Sequence, residues 1–213
     1  KFKLNNLDTP QWIYNFLEDK QGDIWAAVGQ GGIYKINTSS GRPGNFQTVS
    51  GLANDNVWAT LEASDHKMWI GTHGGIDIYD PETRTLKHLG TAQGLNHERN
   101  TSLLEDSKGR IWAAGISGVS IIDPKNGTIK KLSSKEGLPD NRITSIIEGQ
   151  NGVVWMGSAG GGILNIDIDR SVYKTLTVRD STENASRINR LLKDTKGQLW
   201  VANNEFGVYQ INT

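Results

Sequence analysis

Three arginines, two histidines and two tryptophans carry most of the binding chemistry available in this 213-residue chain. Arg99, Arg142 and Arg187 each stand 13 residues before a tryptophan, namely Trp112, Trp155 and Trp200, so they share one position of a repeat. Guanidinium groups converging at one place could hold a carboxylate or sulfate through paired donors. Alternatively, each pairs with a neighbour such as Glu98, Asp140 or Glu183, an arrangement of small consequence at a surface. Trp12, Tyr14 and Phe16 alternate along the chain and are expected on one face of a strand, with Trp58 aligned to Tyr14. Aromatic rings beside polar groups suit stacking on a sugar; packing between sheets would use them equally well. Among four histidines, His66 replaces a turn glycine and His88 belongs to a solvated strand. His73 and His97, with Glu98, are the candidates for metal binding or acid–base chemistry.

These residues need elements to position them, and the tryptophans reveal the elements. Trp25, Trp69, Trp112, Trp155 and Trp200 recur at intervals of 43 to 45 residues, the period of a propeller blade. Three residues before each stands Gly22, His66, Gly109, Gly152 or Gly197, where a tight hairpin needs positive φ. Two residues after each stands a small residue: Ala27, Gly71, Ala114, Gly157 or Ala202. A second glycine turn then leads into an apolar β-branched stretch such as Ile33–Ile36 or Ile163–Ile166. A strand before the first turn and another after the third stretch complete a unit of four.

The expected fold is all-β, a five-bladed β-propeller with four antiparallel strands per blade in a single domain, 1–213. Blade boundaries fall at about 11–50, 51–93, 94–136, 137–180 and 181–213 plus 1–6. Phe2-Lys3-Leu4 resembles the fourth strands Leu86–Leu89 and Ile129–Leu132, so the N-terminal strand is expected to close the last blade. Ringing the sheets about an axis buries both faces of each and leaves short edges.

The run Gly-Leu-Pro-Asp-Asn-Arg-Ile-Thr-Ser-Ile-Ile-Glu at 137–148, followed by Asn-Gly-Val-Val-Trp-Met-Gly-Ser at 151–158, resembles the two-component regulator propeller repeat. The stretches from Gly94-Leu95 to Trp112 and around Trp69–Thr72 resemble it too. That resemblance implies an extracytoplasmic, periplasmic sensor region of a membrane-bound hybrid histidine kinase, one often responsive to glycans. Related propeller lyases pair a glutamate with a histidine two residues later, and no Glu-x-His occurs here.

Composition narrows the partners. Lys plus Arg and Asp plus Glu number 23 each, so the chain lacks the basic excess that grips nucleic acid or anionic lipid. Cysteine is absent, which removes thiol chemistry and cysteine metal sites. No cofactor, metal or direct membrane contact is expected. The function expected is a non-catalytic sensing or interaction propeller for an oligosaccharide, an acidic one being suited to the arginines. Its alternatives are a structural propeller serving dimerisation or domain contacts, and a lyase or hydrolase. The expected ligand-binding residues are Arg99, Arg142, Arg187, Trp12, His73, His97 and Asn141, with the rest of a sensor kinase or a homodimer partner as further contacts.

Overall fold

A computed structural model describes residues 12–39, 46–48, 51–160, 162–170, 172–176, 187–203 and 207–211. It is all-β, as the tryptophan spacing predicts, with five antiparallel sheets that are the five propeller blades. Blade one comprises β1 (Ile13–Glu18), β2 (Ile24–Val28), β3 (Gly32–Ile36) and β4 (Phe46–Thr48). Blade two comprises β5 (Val57–Glu62), β6 (Met68–Thr72), β7 (Gly75–Asp80) and β8 (Thr85–Leu89). Blade three holds β9 (Asn100–Glu105), β10 (Ile111–Gly115), β11 (Gly118–Ile122) and β12 (Ile129–Leu132). Blade four holds β13 (Ile143–Glu148), β14 (Val154–Ser158), β15 (Ile163–Asp167) and β16 (Val172–Leu176). Blade five shows three strands among the described residues: β17 (Ile188–Lys193), β18 (Leu199–Asn203) and β19 (Gly207–Ile211). The strand expected at residues 2–4 lies outside the described residues.

The chain forms two compact units, residues 1–100 and 101–213. In the first, Trp25, Ala27 and Ile33 of blade one pack against Val57, Met68 and Ile70 of blade two. In the second, Trp112, Val119 and Leu132 of blade three meet Ile143, Val154 and Met156 of blade four. Ile163 of blade four in turn meets Ile188, Leu191 and Val201 of blade five. The small residue after each tryptophan is what lets a neighbouring strand come close. A Cβ on Gly157 would run into the Ile188 side chain, and one on Gly71 would lie 2.9 Å from the Asn100 carbonyl oxygen.

The hairpin before the tryptophan strand carries a device that repeats in three blades. Asp19, Asp106 and Asp194 each stand six residues before their tryptophan and accept its indole N–H, at 2.7, 2.8 and 2.9 Å. The second carboxylate oxygen accepts backbone N–H groups of the turn, those of Gln21 and Asp23 in blade one and of Lys108 and Arg110 in blade three. One side chain thus closes the hairpin and satisfies a buried ring donor together. Blade two has Ala63 at this position, and Trp69 Nε1 is buried with no partner among the described residues. His66 takes the turn at φ 65°, as its replacement of a glycine predicts.

Candidate ligand-binding site

First strands break their own alternation near their start. Register shifts fall between Ile13 and Asn15, Val57 and Ala59, Ile143 and Ser145, and Ile188 and Arg190. The residue inside each shift is Tyr14, Trp58, Thr144 or Asn189. Such a bulge re-aims a side chain, and two of these four are aromatic. The Tyr14 ring stacks on Trp58 with centroids 4.0 Å apart and planes 14° from parallel. Trp58 stacks in turn on His73, at 5.3 Å and 14°. The expectation that Trp12, Tyr14 and Phe16 share one strand face is therefore corrected: the bulge at Tyr14 reverses the alternation before Phe16.

This three-ring stack belongs entirely to the first unit. Trp58 stacks with both other rings, so it links Tyr14 to His73. Tyr14 is 39% exposed and lies over Gly29, where an added Cβ would be 2.6 Å from the ring. Trp12 precedes it with 77% exposure, while its carbonyl oxygen accepts the Gly29 N–H at 2.9 Å and fixes the backbone. An open indole thus stands on an anchored chain beside a rigid stack.

His73 sits in the turn between β6 and β7, its own N–H donating to the Asn56 carbonyl at 3.1 Å. Burial lowers its pKa below the usual 6.5, and the Arg99 charge pushes it in the same direction. Folded His73 therefore holds its proton less tightly than the unfolded side chain, and protonation favours unfolding. The stability His73 contributes is present above the ordinary histidine value and declines as pH falls below it towards the lowered value. Arg99→Ala removes the second cause and is expected to raise the His73 pKa part of the way back, with burial holding the remainder. An NMR titration of the His73 ring proton measures this, and an unchanged pKa would separate Arg99 from the stack.

His97 is a turn former. Its Nδ1 accepts the Arg99 backbone N–H at 2.9 Å. In the same way Asp140 Oδ1 accepts the Arg142 N–H and Asn54 Oδ1 accepts the Asn56 N–H, both at 2.9 Å. All three fill one repeat position, and Asn and Asp at two of them were a visible signal for the third. Among the described residues, no three His, Asp or Glu side chains gather as metal ligands would.

In the second unit, Asn141 bonds Ser134 twice, accepting its N–H at 2.6 Å and donating to its hydroxyl at 3.2 Å. Arg142 extends into solvent and reaches Asp140 Oδ1 only at 3.5 Å. Arg187 lies exposed immediately before β17. Thus the structure joins His73, Arg99, Tyr14 and Trp58 in one unit with Trp12, whereas Asn141, Arg142 and Arg187 belong to the other.

Two segments, residues 51–74 and 137–160, match the two-component regulator propeller repeat. Blades two and four thus each carry a two-component regulator propeller repeat. By fold, the chain is similar to the extracellular domain of the hybrid two-component system BT3049 from B. thetaiotaomicron. There the TM-score is 0.78 at 25% identity, covering 93% of this chain and 27% of that one. The extracellular domain of BT4673 from the same organism gives 0.75 at 19%, covering 99% and 28%. A streptogramin B lyase gives 0.77 at 18%, covering 99% and 67%, which speaks for the shared fold alone. The chain spans just over a quarter of the two extracellular chains it matches. No curated protein matches it by sequence.

Proposed function

We propose that this chain is part of an extracytoplasmic, non-catalytic sensing propeller of a hybrid two-component system, and that it binds an oligosaccharide, preferentially an acidic one. The observation that carries this reading is the exposed Trp12 beside the Tyr14–Trp58–His73 stack, in the same unit as Arg99. An exposed indole on an anchored backbone offers an apolar face to sugar C–H groups, and a guanidinium recognises a carboxylate or sulfate. The likeness to an extracellular domain of a hybrid two-component system supports the location and the class. Signal output would lie in the remainder of the sensor kinase. Titration of the chain with acidic and neutral oligosaccharides, followed by tryptophan fluorescence, tests the site. Trp12→Ala and Arg99→Ala are each expected to weaken binding about tenfold, the effect of losing roughly 1.4 kcal/mol. Binding that is unchanged in both variants places the ligand elsewhere.

A second reading, a contact between copies, is favoured by one specific observation. Val208 occupies the repeat position of Ile33, Ile76, Val119 and Ile163, all 0% exposed, yet Val208 is 66% exposed. Leu192 on the same sheet is 61% exposed, and on blade one Ile13 and Phe16 are 42% and 59% exposed. These are the residue types with which adjacent blades cover one another elsewhere in the chain. Blade five of one copy would dock on blade one of another, a head-to-tail contact continuous in chemistry with the contacts between blades. Light scattering is expected to show concentration-dependent self-association that Val208→Lys abolishes. A monomer at all concentrations excludes this reading.

A further inference from the structure

The hairpin end of blade four differs from those of blades one and three in a way that points to a second binding site. In blade one, Asp19 holds the Trp25 indole, and Lys35, paired across the strands from Trp25, lies 5.2 Å from the ring centroid. Lys35 is fixed there by Asp19 at 2.9 Å and Asp23 at 3.0 Å. In blade three, Asp106 holds the Trp112 indole, and Arg110 lies 5.9 Å from that ring. Arg110 is fixed by Asp106 at 2.6 Å and by Asp169 of blade four at 3.0 Å. In both blades a carboxylate and a cation occupy the indole.

Blade four lacks both parts. Gly149 stands where Asp19 and Asp106 stand, and Asn165 pairs across from Trp155 where Lys35 pairs across from Trp25. The ring has moved into the space an aspartate would need: a Cβ on Gly149 would lie 2.6 Å from Trp155 Nε1. Among the described residues no acceptor meets that N–H. Beside it opens a groove of about 610 Å³, lined by Gln150, Asn151, Trp155, Asn165, Arg170 and Lys174 among others. That volume is in the range of small-molecule pockets, roughly 300–1,000 Å³.

We propose that this groove binds an acidic saccharide unit, at a site separate from the one at Trp12. The half-buried Trp155 ring supplies an apolar wall and an N–H donor. Amides of Gln150, Asn151 and Asn165 can each donate and accept, which matches a run of hydroxyl groups. Lys174 supplies the charge for a carboxylate, since Arg170 is drawn at 3.5 Å towards Asp167. The proposal rests on the broken repeat in the second unit and does not depend on binding at Trp12.

The test is NMR of the full chain with ¹⁵N-labelled tryptophan, the Trp155 indole signal being assigned by Trp155→Phe. Trigalacturonic acid is the acidic probe and maltotriose the neutral one. The Trp155 signal is expected to shift saturably with trigalacturonic acid and not with maltotriose. Lys174→Glu, a change on an exposed outer strand, is expected to weaken that binding at least tenfold, while Trp12→Ala leaves it intact. An unmoved Trp155 signal, an equal response to maltotriose, or full affinity in Lys174→Glu would each overturn the proposal. Loss of the Trp12-dependent fluorescence response alone would overturn only the site at Trp12.

Discussion

Replacing Asp106 with alanine is expected to lower the unfolding free energy by about 3–5 kcal/mol, the cost of breaking a buried charge pair. Asp106 is 4% exposed and accepts the Trp112 indole at 2.8 Å, the Arg110 guanidinium at 2.6 Å and two turn N–H groups. Alanine strands a fully buried indole donor and leaves Arg110 with Asp169 as its remaining carboxylate. It also removes the side chain that closes the hairpin. Asp106→Asn keeps an acceptor for the turn but loses the charge, so about half the effect is expected. Urea unfolding followed by fluorescence reads both variants. A cost below about 1 kcal/mol for Asp106→Ala would show that the device organises the hairpin without holding the blade.

Gly75→Ala is expected to cost about 4 kcal/mol, summing backbone strain and overpacking. Gly75 has φ 121°, a conformation that a Cβ resists. Its new Cβ would also overlap the Leu89 carbonyl oxygen and lie 2.8 Å from His88 Cε1. Main chain of a paired strand has little room to yield. Gly207 opens β19 as Gly75 opens β7, with φ 74° and nothing within 4 Å of an added Cβ. Gly207→Ala should therefore cost only about 1 kcal/mol. The difference between the two variants combines the close approach of Leu89 with the less accessible φ of Gly75, and equal losses would mean that neither adds to the cost of a positive φ. Gly75 also follows the turn that presents His73, so the variant is expected to loosen the aromatic stack as well.

How legible these features were in the sequence depends on whether they repeat. The tryptophan interval, the hairpin position shared by Gly22 and His66, and the small residue after each tryptophan recur in every blade. They fixed the strands because β-structure repeats its geometry along with its residues. The aspartate six residues before Trp25, Trp112 and Trp200 was equally visible as a spacing, although its bond to the indole needed coordinates. The bulges at Tyr14 and Trp58 were not visible. Face assignments from a period of two assume an unbroken strand, and one extra residue reverses every side chain beyond it. His97 invites chemistry by residue type, yet its position belongs to turn formers, as Asn54 and Asp140 show. The Asn141 amide is engaged by Ser134, a bond that the repeat spacing does not reveal.

The central claim is binding without turnover, and native mass spectrometry of the chain with a mixed panel of acidic and neutral oligosaccharides tests it in one measurement. The mass of the complex reports binding, and the mass of the recovered saccharide reports any reaction. The account predicts a complex with an intact acidic oligosaccharide that Trp12→Ala diminishes. A saccharide recovered with an altered mass would contradict the non-catalytic reading, and the absence of any complex across the panel would contradict carbohydrate sensing itself.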